Sequence, residues 1–210
     1  MTPVKSRKWF LLGAGGQARM VIAAARAAGL PNPEACLVDE DVPQHDPIPG
    51  IPLLTADSVT ERAAGIFFPA IGDNAARRRL TESFVERGWQ PLTLCHPRAL
   101  VEKGVRVGAG TVIAMGAIVQ SGVCLGQGVI VNTGAIIEHD VVIGDYSHIA
   151  PGSILLGESS VGENVLIGAG TRLLPRVRVE SDSVVGAGSV VLEDIPAGSR
   201  FAGVPARALA

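Results

Sequence analysis

The sequence predicts a small parallel α/β sheet followed by a long parallel β-helix with one short strand in every six residues. Three observations carry this reading. Residues 9–90 alternate strand-like apolar runs with helix-like stretches, residues from Val101 onward repeat in sixes, and the available core is aliphatic. Of the 210 residues 47% are hydrophobic but only 4% aromatic, so Val, Ile, Leu and Ala must fill the interior, which suits thin, regular β layers. The 26 glycines call for frequent tight turns. A chain of this length holds two small domains, and the change of period divides it into residues 1–92 and 93–210.

In the first part, Trp9–Leu12, Cys36–Val38 and Gly65–Ile71 read as strands, and Gln17–Ala28 and Asn74–Arg87 as helices. Alternation of this kind makes a Rossmann-like parallel sheet. Pro91 to Pro97 then ends the helical periodicity. Every sixth position from Val101 to Val191, sixteen in all, is Val, Ile or Leu, and the residues four further on, Val105 to Ile195, are nearly all small or β-branched. Each hexad therefore supplies a strand whose aliphatic residue points inward and a corner where the small residue fits. Three such hexads close one coil of a triangular prism, so residues eighteen apart stack.

The charge balance narrows the function. A net charge of -2 with no basic stripe lacks the electrostatic footprint of a nucleic-acid binder. No apolar run is long enough to span a membrane, and the start passes from a few basic residues into a Gly-rich turn without a cleavage site, so a soluble cytoplasmic protein is expected. Cys36, Cys95 and Cys124 have neither zinc spacing nor a disulfide count, and read as small buried hydrophobes; no metal is expected.

The chemistry concentrates between Val131 and His148. His139 and His148 are the only histidines of the repeat region, and His139 lies between Glu138 and Asp140, either of which can fix its tautomer and raise its basicity. Asn132 is nearby in sequence. Eighteen residues beyond His139 stands Gly157, where the absence of Cβ would let a thioester approach a backbone N–H that serves as an oxyanion donor. In the first part, Gly13-Ala14-Gly15-Gly16-Gln17 follows a strand, a place where backbone N–H groups favour a phosphate, and Asp39 and Glu40 end the next strand, where they can accept hydrogen bonds from a ribose or base.

These pieces, together with Ala70-Ile71-Gly72-Asp73-Asn74 and Ala202-Gly203-Val204-Pro205-Ala206-Arg207, resemble the sialic-acid O-acetyltransferase-like sugar acyltransferases over nearly the whole chain. That family of hexapeptide-repeat transferases includes enzymes that N-acetylate UDP-4-amino-4,6-dideoxy sugars and GDP-perosamine. The resemblance implies a left-handed β-helix, with His139 as general base and Asp140 as its orienter. It also implies an acetyl-CoA site that includes His148, Gly157, Ala169 and Ala187, and a nucleotide-sugar site made by Gly15, Gly16, Gln17, Asp39, Glu40, Gly72 and Asn132. Gln17 departs from the family, which usually has His there.

The function expected is acetyl-CoA-dependent N-acetylation of a UDP- or GDP-linked 4-amino-4,6-dideoxy sugar. Sugar O-acetylation and a non-catalytic nucleotide-sugar-binding module are the alternatives, since the residues named do not separate an amine from a hydroxyl acceptor. A homotrimer is expected too, because a prism with aliphatic residues on its outside and no covering helix has a face to bury.

Overall fold

The computed structural model describes residues 8–38, 48–60 and 65–209. The chain divides into two compact units, Met1–Leu94 and Cys95–Ala210.

The first unit runs β1 (Trp9–Leu12), α1 (Gly16–Ala27), β2 (Cys36–Val38), β3 (Leu53–Thr55), α2 (Asp57–Thr60), β4 (Ile66–Pro69), α3 (Asn74–Glu86) and β5 (Gln90–Pro91). All five strands are parallel, in the order β3-β2-β1-β4-β5. The order reverses between β1 and β4, so the loops that leave their carboxyl ends face each other, as in the Rossmann arrangement. Central β1 is buried on both sides, hence its unbroken apolar run Trp-Phe-Leu-Leu. Phe10 of β1 clusters with Phe67, Phe84 and Trp89, the Trp89 ring edge-on to Phe10 and Phe84 and the Phe67 and Phe84 rings tilted. β3, α2 and β5 are too short to read from periodicity.

The second unit is a parallel β-solenoid. Its two-residue strands recur every six residues from Leu100–Val101 to Val190–Val191, and each as far as Arg172–Leu173 pairs with the strand eighteen residues on, Ile118 with Ile136 and Ile136 with Ile154. Three sheets result, one on each side of the prism. The first face carries Leu100–Val101 and its repeats, the second Arg106–Val107 and its repeats, the third Val112–Ile113 and its repeats. The second residue of each strand points inward, and those from Ile113 to Val191 are buried in one continuous core. Val101 and Val107 are the exceptions at 37% exposure each, because their strands end two of the sheets and nothing stacks beneath them.

The corners repeat as strictly as the strands. The residue three past each inward position, from Gly104 to Gly188, has positive φ. That conformation turns its N–H onto the coil below: Asp140 donates to Ser121 O (3.0 Å), Glu158 to His139 O (3.0 Å) and Arg176 to Gly157 O (3.1 Å). Glycine adopts it without strain, yet Asp140, Tyr146, Glu158, Asn164, Arg176 and Asp182 hold it too. Inside the corners, buried hydroxyls tie coil to coil; Ser147 Oγ donates to Gly162 O (2.6 Å) and accepts from Val165 N–H (2.9 Å).

The expectation for the cysteines holds only for Cys36, which is buried. Cys95 is exposed, and Cys124, first in its strand, points outward from the second face, where Arg106 reaches its sulfur.

Candidate active site

His139 sits on the corner between the first and second faces. Its Nδ1 lies 3.0 Å from Asp140 Oδ2, both side chains more than half exposed. An ionised carboxylate only accepts, so Nδ1 carries the proton and Nε2 keeps its lone pair for an incoming proton. The positive φ of Asp140, 60°, brings its carboxylate back to the ring that precedes it in sequence. Two glycines make the space. A Cβ on Gly122, one coil below, would fall onto the Asp140 carboxylate, and a Cβ on Gly157, one coil above, would stand 2.5 Å from His139 Nε2. The imidazole therefore lies against the Gly157 backbone, whose N–H takes no acceptor among the described residues. The imidazole, the carboxylate bonded to it and the Gly157 backbone amide meet within one corner. Glu138 precedes them without bonding to His139. Glu158 and Arg176 continue the column upward as an exposed ion pair at 3.4 Å.

Asn132 and His148 form a second pair, on the third face and the corner that follows it. Asn132 Oδ1 accepts from Thr133 N–H (2.8 Å), which fixes the amide so that Nδ2 donates to His148 Nε2 at 3.0 Å. The proton of the neutral His148 ring is then on Nδ1. On this corner all five positive-φ positions are glycine, Gly116, Gly134, Gly152, Gly170 and Gly188. A Cβ added at any of the last four would meet nothing within 4 Å, so the corner is a smooth open ridge. Ala169 and Ala187 lie exposed along it, with Gly188 N–H donating to Ala169 O at 2.8 Å. Within one chain the first face separates this ridge from His139.

In the first unit, Gly13 takes φ 97°, and a Cβ there would touch Ala70 O and Ile71 Cγ1 at about 3 Å, so the loops after β1 and β4 close against each other. Gly15, Gly16 and Gly72 have open space where a side chain would be. Gly15 caps α1 without a side chain, and no acidic residue occupies the first turn, which leaves the helix N-terminus to an external acceptor. Gln17 begins that turn with its buried Nε2 unpartnered among the described residues. Asp39 and Glu40 lie outside the described residues.

Arg77 is a residue that the motif reading passed over. It is fully buried on α3, and its guanidinium donates to Ile71 O (3.0 Å), Gly72 O (3.2 Å) and Asn74 Oδ1 (2.8 Å). The signal was present: with Thr81 and Phe84 it occupies the buried stripe of α3, where a charge is out of place unless it has work to do.

Fold and site together define a hexapeptide-repeat acyltransferase. Residues 125–157 and 158–193 match the bacterial transferase hexapeptide family (six repeats), and residues 8–84 match the PglD N-terminal domain. The chain belongs to the hexapeptide-repeat acyltransferases, among those that carry a PglD-type N-terminal domain. It is similar to the acetyltransferase domain of PglB from Neisseria gonorrhoeae FA1090, with 34% identity over 97% of this chain and 100% of that one and a TM-score of 0.88. The acetyl coenzyme A complex of that domain gives 0.89 over 97% and 99%. A point variant of perosamine N-acetyltransferase from Caulobacter crescentus, solved with CoA and GDP-perosamine, is 32% identical over 97% of both chains, with a TM-score of 0.91. Comparison with curated proteins gives no match. Among the described residues no helix is long and apolar enough to cross a membrane.

Proposed function

We propose that the protein is an acetyl-CoA-dependent N-acetyltransferase that acts on a UDP- or GDP-linked 4-amino-4,6-dideoxy sugar. The observation that carries this is the His139 corner, where an imidazole bonded to Asp140 and more than half exposed lies against the Gly157 backbone, whose N–H has no acceptor among the described residues. The neutral sugar amine attacks the thioester carbonyl while His139 Nε2 takes its proton, and Asp140 stabilises the imidazolium. Charge that develops on the carbonyl oxygen is met by the Gly157 N–H. The C–S bond then breaks, and the CoA thiolate leaves with a proton returned by His139. No covalent enzyme intermediate is needed.

Pantetheine would lie along the glycine ridge past Ala169 and Ala187, beside His148. The sugar nucleotide would occupy the β1 and β4 loops at Gly15, Gly16, Gln17 and Gly72, with Asp39 and Glu40 completing its contacts there. Because the ridge and the base lie on different corners, one chain does not bring them together, and a neighbouring copy supplies the missing wall. The outward residues of the first face, Leu100, Ile118, Ile136, Ile154, Arg172 and Val190, are apolar but for Arg172 and support a homotrimer packed through that side, whereas the second face mixes Cys124 and Val142 with Arg106, Ser160 and Arg178. We place the enzyme in the cytoplasm.

The test is incubation of the purified chain with acetyl-CoA and a panel of UDP- and GDP-linked sugars, 4-amino sugars beside their 4-hydroxyl counterparts, read by mass spectrometry. A 42-Da gain on an amine-bearing sugar, about the mass of an acetyl group less one hydrogen, is expected. Acetylation of hydroxyl-only sugars alone would overturn the N-acetyl reading, and no transfer at all would favour a binding module.

A further inference from the structure

The buried guanidinium of Arg77 has a consequence for the loop that it holds. Both carbonyls that it binds, Ile71 O and Gly72 O, are turned inward toward α3. A trans peptide points its N–H opposite to its C=O, so the amides of Gly72 and Asp73, which share those two peptide groups, point away from Arg77. Neither amide has an acceptor among the described residues. One terminal nitrogen of the guanidinium donates to both carbonyls and the other to Asn74 Oδ1, and Asp73 Oδ1 is occupied in capping α3 through Ala76 N–H at 2.8 Å. Two adjacent donors thus sit at the carboxyl end of β4, beside the switch point of the sheet and over the open space at Gly72. The cation behind them polarises both peptides and strengthens the donors.

We propose that Arg77 is a positioning residue for the nucleotide sugar: it locks the Ile71–Asp73 segment so that the Gly72 and Asp73 amides grip one acceptor oxygen of the nucleotide. The inference rests on the reading of the first unit as the nucleotide-sugar site. Arg77 itself touches no substrate. Its planar fork is what the segment requires, since a lysine ammonium brings a point charge but cannot span two carbonyls and an amide in one plane.

The experiment is isothermal titration of the full chain with UDP and GDP, and with uridine and guanosine, for wild type, Arg77→Lys and Arg77→Met. Steady-state kinetics with acetyl-CoA accompany it. The expected result is that Arg77→Lys weakens the nucleoside diphosphate about tenfold, the loss of one or two good hydrogen bonds, and Arg77→Met weakens it more. KM for acetyl-CoA and kcat at saturating sugar should stay within about twofold of wild type. A loss seen with the diphosphates alone puts the gripped oxygen on the phosphates, and a loss shared by the nucleosides puts it on the base or ribose. Variants that bind nucleotide as wild type does, or that lose acetyl-CoA affinity in equal measure, overturn the inference while the site reading stands. A wild-type chain that binds none of the four overturns both. Arg77→Lys keeps the buried charge, so its thermal unfolding separates a repositioned segment from an unfolded unit.

Discussion

At the scale of single residues the site depends on two absences of Cβ as much as on its imidazole. Replacement of His139 by Ala or Asn should lower kcat by roughly 10²–10⁴ with folding intact, as removal of a positioned base does. Asp140→Asn should cost less, because the ring keeps its place while the imidazolium loses its counter-charge; steady-state kinetics of the variants read both. Gly157→Ala makes a sharper demand: its methyl would stand 2.5 Å from His139 Nε2, so the ring must move. A loss on the order of 10² in kcat with unchanged thermal unfolding is expected, and a wild-type rate would remove Gly157 from the reacting centre. The neighbours of His139 were legible as chemistry, but which carboxylate serves it was not settled by the residues alone. In the structure Asp140, with its left-handed backbone, is the one bonded to the ring, and nothing in an aspartate's side chain announces its φ.

Among the elements, the corner governs both stability and binding. On the glycine ridge, alanine would find free space but an unfavourable φ, 69° at Gly170. Gly170→Ala should therefore destabilise the solenoid by about 1–2 kcal/mol and raise KM for acetyl-CoA without changing KM for the sugar nucleotide. Glu158→Gly should have the opposite sign. It relieves φ 60° and gives up only an exposed ion pair, for a gain of roughly 0.5–1 kcal/mol in thermal or urea unfolding. A loss of stability in Glu158→Gly would mean that the pair with Arg176 outweighs the backbone term. The hexads could be read because an inward aliphatic residue is required at every turn of the prism. β3 and β5 could not: Leu53–Thr55 and Gln90–Pro91 are two or three residues long, and sheet neighbours, not local pattern, make them strands.

For the molecule as a whole, the proposed trimer is the point at which activity and architecture would meet. Ile136 and Ile154 sit side by side on the outside of the first face. A charge at Ile154, as in Ile154→Glu, should dissociate the assembly in light scattering and abolish turnover together, whereas a fully active monomer would refute shared sites. The α/β half was legible because a parallel sheet buries its strands on both sides, and Arg77 was not, because an arginine in a helix reads as a solvated charge until its stripe is seen to be buried. The eighteen-residue register of the solenoid also limits how this enzyme can change length. Adding or deleting one hexad would preserve every local strand and every inward aliphatic residue, yet it would rotate all later coils by a third of a turn. Inserted between His139 and Gly157, it would replace that glycine above the imidazole with another residue and carry the glycine to a different edge. Insertions compatible with activity are therefore either whole coils placed outside that interval or excursions that leave and rejoin the prism at one corner.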